Sequence, residues 1–341
     1  MKRKICLIAT AGIVVLCLIV GCFVAVFDEF GKPKNEITVF IPDGAPALSM
    51  AKLLSEDTER DGVRYTLVSA TGIEAKVTYA DMKKNADICV LPLTDASLHL
   101  GSGENYQLIG VATHGNFFLV SENENTVYTK ENLRSLVGKR VGFVQLAKLP
   151  GLVFRTILER ENVPYKIQTD TNELDETAVN LVNVKPTDVK KGIGFDVFAT
   201  PEPLTSAKIN GAGFKLVGNI QKLYGDENGY PQAVVVAKRS LIENNHVWVE
   251  SFVGKLKQND EWLQTQSVES ILEALNAHLE TGLSPAFTNK NLSKSVISGC
   301  GVRYVGGYAS KEKINSLIDV LKRIDSNAVK EFSNEFFNEK Y

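Results

Sequence analysis

Groups able to bind a small molecule recur in this sequence at one kind of place, just after a short β-rich run and just before a helical pattern. Asp43 and Gly44 follow Ile37-Thr38-Val39-Phe40-Ile41, and Thr94 follows Asp87-Ile88-Cys89-Val90-Leu91 and Pro92. Gln145 and Lys148 follow Arg140-Val141-Gly142-Phe143-Val144, and Thr200-Pro201-Glu202-Pro203 follows Phe195-Asp196-Val197-Phe198-Ala199. His114, Gly115 and Asn116 separate two more β-rich runs, and Tyr230 precedes another. In open α/β sheets, ligands sit beyond the C-terminal ends of strands, on such loops. The chemistry offered is recognition. Gly44 lets the backbone approach a ligand, Asp43 accepts from a donor, and Thr94 both donates and accepts. The amides of Asn116 and Gln145 can fix an orientation, Glu202 can meet a cationic or N–H group, and Tyr230 can stack on a planar ring. Each residue also has a plain structural use. Asp43 and Thr94 read equally well as helix N-caps, Lys148 as a solvated loop lysine, and Glu202 as part of a stiff turn. His114, Asn116 and Tyr230 read equally well as packing at a chain crossing.

Catalytic patterns are missing. There is no Gly-x-Ser-x-Gly, no His-Glu-x-x-His, no P-loop and no dinucleotide fingerprint. The four histidines, His99, His114, His246 and His278, have no metal spacing. No metal, cofactor or catalytic residue is expected. Of five cysteines, Cys6, Cys17 and Cys22 lie in the first apolar stretch, which leaves only Cys89 and Cys300 for the body. Both read as buried small hydrophobes, and a bridge between them stays open. A formal net charge of −2 carries no basic surplus for nucleic acid.

The elements that must hold these loops alternate. After the first β-rich run Ala47, Met50, Ala51 and Leu54 recur at helical spacing, and after the run ending at Val144 the apolar Phe154, Ile157 and Leu158 do so with Glu161 on the same face. Further β-rich runs cover 64–68, 106–112, 117–120, 214–217 and 232–237, and from Arg239 onward the pattern is mostly helical. The alternation predicts an α/β fold with largely parallel sheets, and 341 residues are enough for two cores.

The first segment reads as an address. Met1-Lys2-Arg3-Lys4 leads into an apolar run that reaches Leu18-Ile19-Val20-Gly21-Cys22, a secretory signal ending in what resembles a bacterial lipobox. On that reading residues 1–21 are removed and Cys22 carries acyl chains. The apolar run continues through Phe23-Val24-Ala25-Val26-Phe27, about 23 residues in all, so an uncleaved membrane anchor is the alternative. On the lipoprotein reading residues 22–35 are anchor and tether, on the alternative the run 5–27 is the anchor, and both put the body outside the cell.

Several segments in order resemble one family. Ile41-Pro42-Asp43-Gly44-Ala45-Pro46, Val90-Leu91-Pro92-Leu93-Thr94, Gly142-Phe143-Val144-Gln145 before Pro150-Gly151-Leu152-Val153-Phe154-Arg155, and Tyr230-Pro231-Gln232-Ala233 are similar to the type 2 periplasmic-binding-protein fold. That fold is carried by nitrate, sulfonate, taurine and thiamine-precursor binding proteins. The resemblance implies two lobes, each a mixed, largely parallel sheet flanked by helices. It places the crossings near 114–120 and 230–237, with lobe 1 at 36–116 plus 238–341 and lobe 2 at 117–237. It further implies a monomeric, non-enzymatic substrate-binding subunit of an ABC importer, with permease and ATPase subunits as partners and a small organic solute as ligand. The stretch 145–151 is less glycine-rich than the Gly-Ser-rich turn of sulfonate and nitrate binders and carries no serine, which points away from an inorganic anion or a sulfonate. The rival readings are an enzyme of the same fold, as in menaquinone or thiamine precursor synthesis, and an extracellular sensor.

Overall fold

The computed structural model describes residues 36–56, 62–169, 174–225 and 228–341. The signal, Cys22 and the tether lie outside the described residues, and among those described no helix is long and apolar enough to cross a membrane.

The chain starts with strand β1 (Ile37–Pro42), the short helices α1 (Ala45–Leu48) and α2 (Ala51–Ser55), and β2 (Val63–Val68). Next come β3 (Ile88–Pro92), α3 (Leu93–Leu100) and β4 (Tyr106–His114). A second set runs β5 (Phe117–Ser121), β6 (Arg140–Val144), α4 (Leu149–Arg160), β7 (Tyr165–Gln168), β8 (Val179–Val184), β9 (Val197–Pro201), α5 (Leu204–Ala212), β10 (Lys215–Asn219) and α6 (Ile220–Tyr224). The chain then returns through β11 (Pro231–Lys238), followed by α7 (Arg239–Asn244), α8 (His246–Thr265), α9 (Val268–Asn276), α10 (Lys294–Gly299), β12 (Val302–Gly306) and α11 (Lys311–Ile324).

Two six-stranded mixed sheets result, ordered β12-β4-β11-β3-β1-β2 and β10-β5-β9-β6-β8-β7. Within each, one half is parallel (β2-β1-β3 and β7-β8-β6-β9) and the other half, nearest the crossings, is antiparallel. The chain passes to the second sheet between His114 and Phe117. It comes back before Pro231, because Pro231–Lys238 hydrogen-bonds to β3 and β4. The stretch 231–237, assigned from the sequence to the second lobe, is therefore a strand of the first sheet.

The strand period of two sorts the first core. In β3, Ile88 and Val90 face one cluster while Cys89 and Leu91 face the other, and in β11 Val234 and Val236 alternate with Ala233 and Val235 in the same way. One face packs on α1, α2, α8, α9 and α10. The other joins α11 and runs on into the core of the second sheet through Phe117, Phe143 and Tyr230. Helix α11 packs on α4, so the two lobes touch. Cys89 and Cys300 are buried free thiols in different clusters, each with its pKa pushed up by burial.

Candidate functional site

Asp43 follows β1 directly, but its carboxylate is occupied by the protein itself. Oδ1 accepts from Gly44 N–H at 2.8 Å and Oδ2 from Ala286 N–H at 2.7 Å, so Asp43 ties the loop before α10 to the strand end. Burial pushes its pKa up, and the two N–H donors offset part of that. Gly44 is the residue before α1, with φ of 111°, a conformation that side chains rarely adopt. Nothing lies within 4 Å of where its Cβ would stand, so backbone geometry and not a close neighbour requires glycine there.

Thr94 lies in the first turn of α3 and is 2% exposed. It caps nothing, because the residue before the helix is Pro92, and its Oγ1 is buried without a hydrogen-bond partner. Native proteins pair nearly all such atoms, so an unpaired one marks a place where a partner is expected. Its neighbour Asp95, also buried, reaches across to the other lobe, where Lys148 Nζ lies 3.3 Å from Asp95 Oδ1. Lys148 is the residue before α4, and Gln145 stands three residues earlier at the end of β6. Gln145 is exposed and holds φ at 64°, in the left-handed region. A non-glycine residue there costs about 1–2 kcal/mol, and such strain concentrates at functional sites.

The crossings are tied to each other. Gln232 Nε2 donates to Asn116 Oδ1 at 2.8 Å, and Asn116 N–H donates to Gln232 Oε1 at 3.1 Å. Glu202 N–H donates to Asn116 C=O at 3.1 Å, which brings the β9 loop to the same point. The Glu202 carboxylate accepts from Ser206 N–H at 3.1 Å and Ser206 Oγ at 2.8 Å, which satisfies the first turn of α5. Burial raises its pKa, offset in part by Ser206. A Cβ on Gly299 would come within 3.2 Å of Glu202 Oε1, so this carboxylate of the second lobe abuts α10 of the first. Tyr230 is fully buried against Gly115 and stands edge-on to Tyr224 at 5.7 Å. Its hydroxyl is buried without a partner, and burial pushes its pKa up.

The structure therefore joins Asn116, Glu202 and Tyr230 at the crossings, and links the Thr94 and Gln145 loops through Asp95 and Lys148. Asp43 is committed to Ala286 and to its neighbour Gly44, and among the described residues it makes no hydrogen bond to Thr94, Asn116, Gln145, Glu202 or Tyr230. Asp95 and Gln232 were not singled out from the sequence. An acidic residue in a first helical turn was the available signal for Asp95, because the helix dipole favours it. Gln232 had none, since its partner is 116 residues away. The arrangement offers hydroxyl, amide, carboxylate and ammonium groups from both lobes, and suits holding a polar molecule between them.

No family model and no curated protein matches the chain. Solved structures do. An ABC transporter protein from Parabacteroides distasonis superposes with a TM-score of 0.67 at 17% identity, over 90% of this chain and 100% of that one. A periplasmic sulfonate-binding protein from Methylobacillus flagellatus gives 0.59 at 14% identity, over 89% and 91%. The periplasmic aliphatic sulphonate binding protein of Escherichia coli gives 0.58 at 16% identity, over 87% and 88%. The fold is thus that of the two-lobed, type 2 periplasmic binding proteins.

Proposed function

We propose that this chain is the extracytoplasmic substrate-binding subunit of an ABC importer, which captures a small organic solute between its lobes and presents it to permease and ATPase subunits. The observation that carries this reading is the meeting of polar side chains from the strand ends of both lobes, with the buried Thr94 hydroxyl left unpaired among them. Fold neighbours that are sulfonate-binding proteins support it. Lobe 1 is taken as residues 36–116 with 231–341, and lobe 2 as residues 117–230. Ligand touches both lobes only in the closed form, so binding draws the population toward closure, and no bond is made or broken. Asp43, Gly44, Thr94, Asn116, Gln145, Glu202 and Tyr230 are the proposed ligand-binding set. Asp43, Asn116 and Tyr230 would act mainly by shaping the walls.

The test is a thermal-shift screen of the protein against sulfonates, pyrimidines, amino acids and oxyanions. Only a compound that binds the native state raises the melting temperature. A hit should be lost in Gln145→Ala, and a hit that survives both Gln145→Ala and Thr94→Val would remove the cleft assignment. Attachment through Cys22 at the outer face of the membrane belongs to the same proposal. Metabolic labelling with palmitate should mark the wild-type chain and not Cys22→Ser. An unlabelled wild type would leave the uncleaved apolar segment as the anchor.

A further inference from the structure

A cavity of about 380 Å3 opens beside the two crossings, apart from the ends of β1, β3 and β6. It is lined by His114, Gly115 and Phe118 on the outgoing crossing, by Gln221 and Lys222 of α6, and by Ser295 and Ser298 of α10, among others. These elements adjoin β10 and β12, the edge strands on the far side of the crossings from β1 and β3. Asp43, Gly44, Thr94, Gln145 and Glu202 do not line it, and Glu202 meets its wall only from behind, at Gly299.

Its chemistry is rich in donors. Lys222 has no ion partner among the described residues. Gln221 sits in the fork of the crossings, where a Cβ on Gly115 would fall 2.9 Å, and one on Gly229 3.5 Å, from its Cγ. Its Oε1 is buried with no partner. A terminal amide can turn over and present its NH2 in place of its oxygen, so Gln221 can donate into the cavity. Ser295 and Ser298 add hydroxyls. Two further cations stand at the rim, Arg303 bonded to Asn228 and Lys313 donating to Gly229 C=O at 2.9 Å. No carboxylate of the described residues lines the space. The acidic pair Asp226-Glu227 follows in sequence and lies outside the described residues.

We propose that this cavity is a second binding site, separate from the cleft between the strand ends, for a small molecule bearing an oxyanion. Sulfate, phosphate and short carboxylates share that chemistry. An occupant that touches α6 of one lobe and α10 of the other fits only one hinge angle. It therefore biases the same open–closed equilibrium that the cleft ligand uses, from the other side of the crossings. The site itself rests on the fold and the cavity, and only its effect on closure rests on the function proposed above.

The full chain in detergent would be titrated calorimetrically with sulfate, phosphate and citrate at constant ionic strength, to about 10 mM, enough to fill most of a site with a dissociation constant near 1 mM. Binding of at least one anion is expected. It should weaken about tenfold in Lys222→Gln, vanish in Ser298→Trp, which fills the cavity, and persist in Gln145→Ala. Lys222 is exposed, so its variant should fold whether or not Ser298→Trp does. Four results would each overturn the proposal: no anion bound at that concentration, equal binding by wild type and Lys222→Gln, loss of binding in Gln145→Ala, or calcium or putrescine binding in place of the anions.

Discussion

Thr94→Val separates a hydroxyl kept for a ligand from one kept for the fold. Thr94 is 2% exposed and its Oγ1 has no partner. A buried polar atom left unpaired costs about 1–3 kcal/mol. Valine keeps the β-branched shape and the side-chain rotamer while it removes that atom. The unliganded protein should therefore gain up to about 1–3 kcal/mol. For about 300 residues each kilocalorie moves the melting temperature by about 1.5 °C, so calorimetry should show a rise of about 2–5 °C. The ligand found in the screen should bind the variant about 3- to 10-fold more weakly, the value of one lost hydrogen bond. A drop in melting temperature would mean that the hydroxyl already supports the fold. Unchanged affinity would mean that it does not face the ligand. Either result would refute the reasoning.

Asp43→Ala should cost about 1–3 kcal/mol in denaturant unfolding, because it strips the acceptor from the Ala286 and Gly44 amides. Gly115→Ala should cost a similar amount and alter the hinge, because the new Cβ would stand 2.5 Å from the Tyr230 ring. Lys148→Met leaves the buried Asp95 carboxylate without its cation, so scattering should show a larger radius of gyration for the unliganded protein. Glu202 has a folded-state pKa above its unfolded value, so its contribution to stability falls as pH rises from 4.5 through the raised value. Glu202→Gln removes the buried charge, and melting curves across that window should become flatter while stability at pH 7 is kept or improved.

The strand–turn–helix units were legible in the sequence because apolar spacing changes period where β1, β3 and β6 give way to helix. Strand β8 was not. Its apolar run is broken by Asn180 and Asn183, yet Asn180 is fully buried, its amide bonded to Gln168, Asp175, Lys139 and Ala178. Only the fold brings those partners together. The strand-end rule found the loops that hold the candidate site, but it could not say what each side chain was already doing. Asp43 is bound to an amide 243 residues away, and the partner of Asn116 is 116 residues away. The left-handed backbone of Gln145 left no trace either, since glycine is the usual sign of that geometry. The parallel half of each sheet was foreseen. Mixed sheets were implied by the family resemblance, but which strands run antiparallel was not legible, because that half arises from the two crossings, and those are set by how β4 and β11 pair.

Whether the lobes close on a guest can be measured directly by single-molecule energy transfer between dyes at the exposed positions Glu104 in the first lobe and Lys191 in the second. With the ligand from the screen, the account predicts that a lower-efficiency population present in the free protein drains into one state of higher efficiency, at a midpoint equal to the calorimetric dissociation constant. A single distribution that no bound compound moves would contradict it.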